Sequence, residues 1–150
     1  MNNLTAEWTG VSRNAWSWRS QVSRTWGETA NRRKVLIIDD DPGLSRMAAL
    51  ILRGESFEVD IANSGEDGLA CLDSTVYDAI VLDLRMPGKD GRTVFRELRA
   101  AGVQTPVLIL SAYDARRAGE ELGSQSFLDK PFEPDLLVER VNQMLNGDRR

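Results

Sequence analysis

The chain is predicted to be an α/β protein: a doubly wound, five-stranded parallel sheet with helices on both faces. Three observations predict it. The runs "VLII" (35–38), "AIVL" (79–82) and "VLIL" (107–110) are apolar throughout, as strands buried on both faces of a parallel sheet are. Segments of helical periodicity alternate with them, the pattern of right-handed strand–helix–strand units. The three runs stop at polar residues: Asp39-Asp40-Asp41, Asp83 and Ser111. If the strands are parallel, these groups gather beyond the carboxyl ends of the sheet, where such folds bind ligands.

The elements follow in order. After the first run, Asp41 suits a helix N-cap and Pro42 a first helical residue. Leu44, Met47, Ala48 and Ile51 then repeat at i, i+3, i+4, i+7, and Gly54 is the stop. In "FEVDI" (57–61), Phe57, Val59 and Ile61 alternate with Glu58 and Asp60, which predicts a half-exposed strand at a sheet edge. Ser64 introduces a second helix marked by Leu69 and Leu72. Met86-Pro87-Gly88 reads as a turn. Val94, Phe95 and Leu98 mark a third helix ending near Gly102. Between Ser111 and Lys130 the apolar signal is thin: Ala115, Ala118 and Leu122, with Gly119 inside, which costs a helix about 1 kcal/mol relative to alanine. "SFL" (126–128) is a short strand candidate at the other edge, running out at Lys130. Pro134 opens the last helix, Leu136, Leu137, Val141, Met144 and Leu145 stripe it, and Gly147 closes it.

A chain of 150 residues, 41% apolar and 28% charged, fits one globular domain with a real core. No apolar run approaches the ~20 residues of a membrane span, and no secretory leader is visible, so a cytoplasmic location is expected. The single cysteine, Cys71, excludes an internal disulfide and a cysteine-built zinc site. Histidine is absent, which removes His metal sites, a Ser-His-Asp triad and imidazole bases. Residues 1–34 carry six Lys/Arg against two Glu, and the rest carries thirteen against twenty-one acids. A basic extension (1–33) therefore precedes an acidic domain (34–147) and a short tail (148–150). The acidic domain argues against direct DNA binding. In the extension, Leu4, Trp8, Val11, Ala15, Trp18, Val22 and Trp26 make one stripe on a helix. Disorder, pairing with a second copy through residues 4–26, and membrane-surface contact all fit that stripe.

Asp39, Asp40 and Asp83 meeting at one sheet edge need a cation, and carboxylate oxygens suit Mg²⁺. Lys130 adds a positive group and Ser111 a hydroxyl. Around an aspartate nucleophile these make a phosphoryl-transfer site. Each residue alone has a plainer reading: a solvated turn for the aspartates, a surface lysine, a capping serine, a core phenylalanine at Phe127.

Together, "VLIIDDDP", "IVLDLRMPGKDG", "LILSA" and "SFLDKPF" resemble the signature segments of the receiver domain of bacterial two-component response regulators, of the single-domain, chemotaxis or sporulation-relay type. The resemblance covers residues 33–147. It implies a flavodoxin-like strand order 2-1-3-4-5 and Asp83 as phosphoacceptor and nucleophile. Asp39, Asp40, Asp83 and the backbone carbonyl of Arg85 would hold Mg²⁺, or Mn²⁺ in its place, with Asp40 the direct ligand and Asp39 acting more through water. Ser111 and Lys130 would bind the phosphoryl group, Phe127 would be the aromatic switch, and the Lys130–Pro131 bond would be cis. Arg85 and Tyr113, two residues beyond Asp83 and Ser111, would tune phosphoryl lifetime. A histidine kinase or histidine phosphotransfer protein would be the donor, and an unknown protein the downstream target.

The reading is then of a switch that catalyses only its own phosphorylation and dephosphorylation, with no room after residue 147 for an output domain. Two alternatives stand beside it. A Mg²⁺-dependent phosphohydrolase with an aspartate nucleophile would want a carboxylate two residues on, where Arg85 stands. A degenerate receiver used only for docking would lack the Asp/Ser/Lys set. One departure is clear. Ser111 and Lys130 are nineteen apart against about twenty-two in typical receivers, a loss of nearly one helical turn of ~3.6 residues. A short, displaced or mobile fourth helix is expected.

Overall fold

The computed structural model describes residues 32–147. Strands and helices alternate: β1 (Lys34–Ile38), α1 (Pro42–Gly54), β2 (Glu58–Ala62), α2 (Gly65–Ser74), β3 (Ala79–Asp83), α3 (Gly91–Ala100), β4 (Val107–Ser111), α4 (Ala115–Leu122), β5 (Ser126–Asp129) and α5 (Pro134–Gly147). The five strands form one sheet in the order β2-β1-β3-β4-β5, and every pairing is parallel. The fold class and strand order read from the sequence hold. The apolar stripe of residues 4–26 and the tail at 148–150 lie outside the described residues.

The continuous apolar runs belong to the central strands because both their faces are covered. Val35, Ile37, Val81, Leu108 and Leu110 face α1 and α5, where they meet Ala48, Ala49, Leu52, Leu137 and Val141. Leu36, Ile38, Ile80, Leu82 and Ile109 face the other way, into Val94, Phe95 and Leu98 of α3. The alternation of side chains along a strand thus divides the interior into two cores.

Three local readings shift. The edge strand β2 starts one residue later than expected, at Glu58, and runs through Ala62; Phe57 is buried just before it. The last strand ends at Asp129 rather than Lys130. The buried face of α1 is Ser45, Ala48, Ala49 and Leu52. Met47, expected in the core, is 40% exposed. The i, i+3, i+4, i+7 pattern fitted two neighbouring faces, and the small residues Ser45 and Ala49 let the helix sit closest to the sheet on the other one.

The helix ends follow local chemistry. The Asp41 carboxylate accepts from the N–H groups of Gly43 and Leu44 at 3.0 and 3.2 Å, with Pro42 in the first turn. Ser64 caps α2 through the Asp67 N–H, and Asp90 caps α3 through Thr93. These bonds satisfy amides that a helix leaves unpaired. At 8 residues, α4 is the shortest helix of the described chain, in keeping with the missing turn.

Candidate functional site

The carboxyl ends of β1, β3 and β4 carry Asp39, Asp83 and Ser111 to one edge of the sheet. Asp39 and Asp83 are 1% and 3% exposed. Asp40, the next residue along, is the most open of the three acids. One carboxylate oxygen from each of Asp39, Asp40 and Asp83 lies within 4.8 Å of the others. Lys130 comes from the end of β5. Its Nζ donates to Asp39 Oδ2 at 3.0 Å and lies 3.1 Å from Asp83 Oδ1. The Lys130–Pro131 peptide is cis, as the sequence resemblance implied.

The electrostatics follow from two buried carboxylates sharing one ammonium. Burial raises the Asp83 pKa above its ordinary 3.8, the Asp39 charge adds to it, and Lys130 and the Arg85 backbone N–H oppose it. For Lys130, burial favours the neutral amine, but the hydrogen bond and charge of Asp39 and the charge of Asp83 outweigh it, so its pKa is raised. The site holds one more negative charge than positive even before Asp40 is counted. A set of oxygen ligands with surplus negative charge fits a hard divalent cation.

Backbone packing brings the aspartates together. A side chain at Gly91 would place its Cβ 2.2 Å from the Asp83 carbonyl oxygen and 2.7 Å from the Leu84 Cα. Only glycine lets α3 start that close to the end of β3, and the Gly91 N–H donates to the Leu84 carbonyl there. The Asp39 loop is clamped by a residue that the sequence reading missed. Asn63, between β2 and α2, donates through Nδ2 to the Asp39 carbonyl at 2.7 Å and to Ser45 Oγ at 3.1 Å. Ser45 Oγ in turn donates to the Asp41 carbonyl. An asparagine after a strand looks like any turn residue. Its one legible signal is its place at a carboxyl strand end, like the aspartates.

Ser111 sits near these groups but spends its hydroxyl on its own loop. Its Oγ donates to the Tyr113 carbonyl at 2.8 Å and accepts from the Tyr113 N–H at 3.2 Å. Tyr113 is 72% exposed, and the Arg85 guanidinium lies 5.6 Å from its ring centre, within cation–π range. The two residues that the sequence marks for lifetime therefore meet each other. Phe127 is half-buried in the core lined by α3 and lies against Gly119 of α4: a Cβ there would come 3.2 Å from the ring's Cδ2. Gly119 weakens the helix by propensity, but its missing side chain leaves room for the close approach of the Phe127 ring.

The family model of the response regulator receiver domain matches residues 35–142. Transcriptional regulatory protein TrcR of Mycobacterium tuberculosis is 34% identical over 115 residues, which are 75% of this chain and 45% of that protein. Among solved structures, a Francisella response regulator receiver domain superposes with a TM-score of 0.73 at 33% identity, covering 78% of this chain and 99% of that one. Response regulator TrrA of Thermotoga maritima, solved with Mg²⁺ and BeF, gives 0.69 at 31% identity over 75% and 99%. The chain spans about half the length of the curated relatives it matches. This chain belongs to the response regulator receiver domain family of two-component signal transduction. Among the described residues, no helix is long and apolar enough to cross a membrane.

Proposed function

We propose that Asp83 is the phosphoacceptor of this receiver and that a phosphohistidine, on a histidine kinase or a histidine phosphotransfer protein, is the donor. The observation that carries this is Lys130 Nζ set 3.0 Å from Asp39 and 3.1 Å from Asp83, with the Asp40 carboxylate beside them. An Asp83 oxygen attacks phosphorus, the P–N bond breaks, and the departing imidazole takes a proton from solvent. The product is an acyl phosphate on Asp83, which water later cleaves to inorganic phosphate and the free carboxylate. Asp39, Asp40, Asp83 and the Arg85 carbonyl are the groups that would hold Mg²⁺, or Mn²⁺ in its place. The cation supplies charge neutralisation for the approaching phosphoryl oxygens. Lys130 pairs with one of those oxygens, and Ser111 donates to another once its hydroxyl turns from Tyr113. Phe127, within β5, reports the change where its ring meets α4.

The protein on this reading is a cytoplasmic switch. It turns over no substrate other than its own aspartyl phosphate, binds no DNA directly and acts on a downstream protein. Pairing of two copies through residues 4–26 is a further proposal resting on the sequence stripe. With Mg²⁺ and a small phosphodonor the protein should take up phosphate as an acid-stable, base-labile modification, and Asp83→Asn should abolish it. Uptake by Asp83→Asn at the wild-type rate would overturn the assignment; multiple turnover of varied phosphate esters would favour the phosphohydrolase.

Phosphoryl lifetime is expected to depend on Arg85 and Tyr113, because these bulky side chains, two residues beyond Asp83 and Ser111, meet each other and would crowd an approaching water. Replacing both with alanine should change the decay rate of the phosphorylated protein. An unchanged rate would remove these residues from the mechanism.

A further inference from the structure

Asp129, the last residue of β5, carries a carboxylate that the phosphoryl chemistry does not use. Its Oδ1 accepts from the Ala115 N–H at 2.8 Å, across fourteen residues of sequence. Ala115 is the first residue of α4 and is 0% exposed, so its N–H has no ready substitute in water. The helix has its own cap as well: Asp114 Oδ1 accepts from the Arg117 N–H at 3.2 Å. Asp129 is therefore a second, long-range tie, made from a different element.

Its position joins that tie to the site. Asp129 is paired with Ser111 in the sheet and precedes Lys130, whose backbone N–H donates to the Ser111 carbonyl at 2.8 Å. The loop from Ser111 to α4 is thus held at two points, by the Ser111 hydroxyl at Tyr113 and by Asp129 at Ala115. Between them Asp114 sits in the left-handed region at φ 44, a conformation that a non-glycine residue keeps only where its surroundings hold it. A serine hydroxyl has one proton to donate. Ser111 cannot give it to a phosphoryl oxygen and keep the Tyr113 carbonyl. Occupancy of Asp83 therefore takes the Ser111 Oγ–Tyr113 carbonyl bond from one of the two holding points, and more of the load passes to the other.

We propose that Asp129 is a positioning residue: its carboxylate latches the start of α4 to the end of β5 in the unphosphorylated molecule, and breaking that latch carries the state of Asp83 into α4. The proposal rests on Asp83 being the phosphoacceptor. A latch that exists in only one state favours that state, and by linkage it opposes whatever ligand favours the other.

The test is the affinity of the full chain for beryllofluoride with Mg²⁺, titrated by fluorine NMR, together with hydrogen exchange of residues 112–122. In the wild-type protein, beryllofluoride should speed exchange at the Ala115 amide. Asp129→Ala should show that faster exchange without ligand and should bind beryllofluoride about fivefold to tenfold more tightly, the equivalent of one lost hydrogen bond of ordinary net strength. Asp129→Asn keeps an acceptor at the same atom, is the variant less prone to disturb folding, and should stay within about twofold of wild type. Wild-type affinity in Asp129→Ala would make the carboxylate an ordinary cap present in both states, and weaker binding would place it in the occupied state; either result overturns the latch. If wild type and variants alike fail to bind beryllofluoride, the phosphoacceptor reading fails and the latch with it.

Discussion

Asp83 is burdened by its surroundings. Its carboxyl is 3% exposed and its pKa is raised by burial first and by Asp39 second. A carboxyl that keeps its proton to higher pH when folded than when unfolded supports the fold most in acid. That contribution is complete below the ordinary value of 3.8 and is lost as pH rises through the raised value. Once the carboxyl is ionised, its buried charge stands against Asp39. Asp83→Asn should therefore stabilise the metal-free protein at pH 7, by roughly 1 kcal/mol or more. Urea unfolding at pH 7 and again at mildly acid pH checks this, because the advantage must shrink as wild-type Asp83 gains its proton. An advantage that is constant with pH would mean that the charge is not its source.

At the scale of elements, α4 is the shortest helix of the described residues. Two of its three apolar signal residues in the sequence are alanine, and it accepts the Phe127 ring over Gly119. Alanine at 119 would gain about 1 kcal/mol of helix propensity but would press a methyl group 3.2 Å from the ring. The two effects oppose each other, so Gly119→Ala is expected to leave global stability within about 1 kcal/mol of wild type. It should nevertheless displace Phe127 and loosen the nearby Ser124 N–H, which donates to the Gly119 carbonyl. Hydrogen exchange at Ser124 reads that directly; unchanged protection would show that the ring has room to spare. Sequence periodicity could not have found this seat, because a glycine in a helix is priced there by propensity alone. The Asp129 tie was hidden for a related reason: an aspartate before Lys130 has no pattern until the fold brings Ala115 beneath it.

For the whole molecule, Lys130 is the point at which separate strands are gathered. Its ammonium meets the ends of β1 and β3 through Asp39 and Asp83, and its backbone N–H meets β4 through Ser111. Lys130→Ala would leave two buried carboxylates facing each other without a counter-charge. A loss of about 3–5 kcal/mol is expected, typical of breaking a buried pair from one side, with most of it recovered on adding Mg²⁺. Thermal unfolding with and without the cation decides it, and a loss that Mg²⁺ leaves untouched would place the lysine's role outside charge balance. The sheet was legible in the sequence because each central strand is wholly apolar and stops at a polar residue, and Asp39, Asp83 and Ser111 were legible for the same reason. What escaped was contact between distant parts: Asn63 on the Asp39 carbonyl, Asp129 on α4, and the choice between two faces of α1.

The sheet also keeps two sets of books. Phe127, Leu84, Met86 and Ala118 all belong to the core lined by α3, while α1 and α5 close the other one. Phe127, the residue proposed to respond to Asp83, thus lies in one interior and not in the other. A lineage could harden or soften the α1–α5 side, adapting to heat or cold, without retuning its signal. On the proposed reading, robustness and responsiveness draw on opposite sides of the molecule, with a layer of five strands between them.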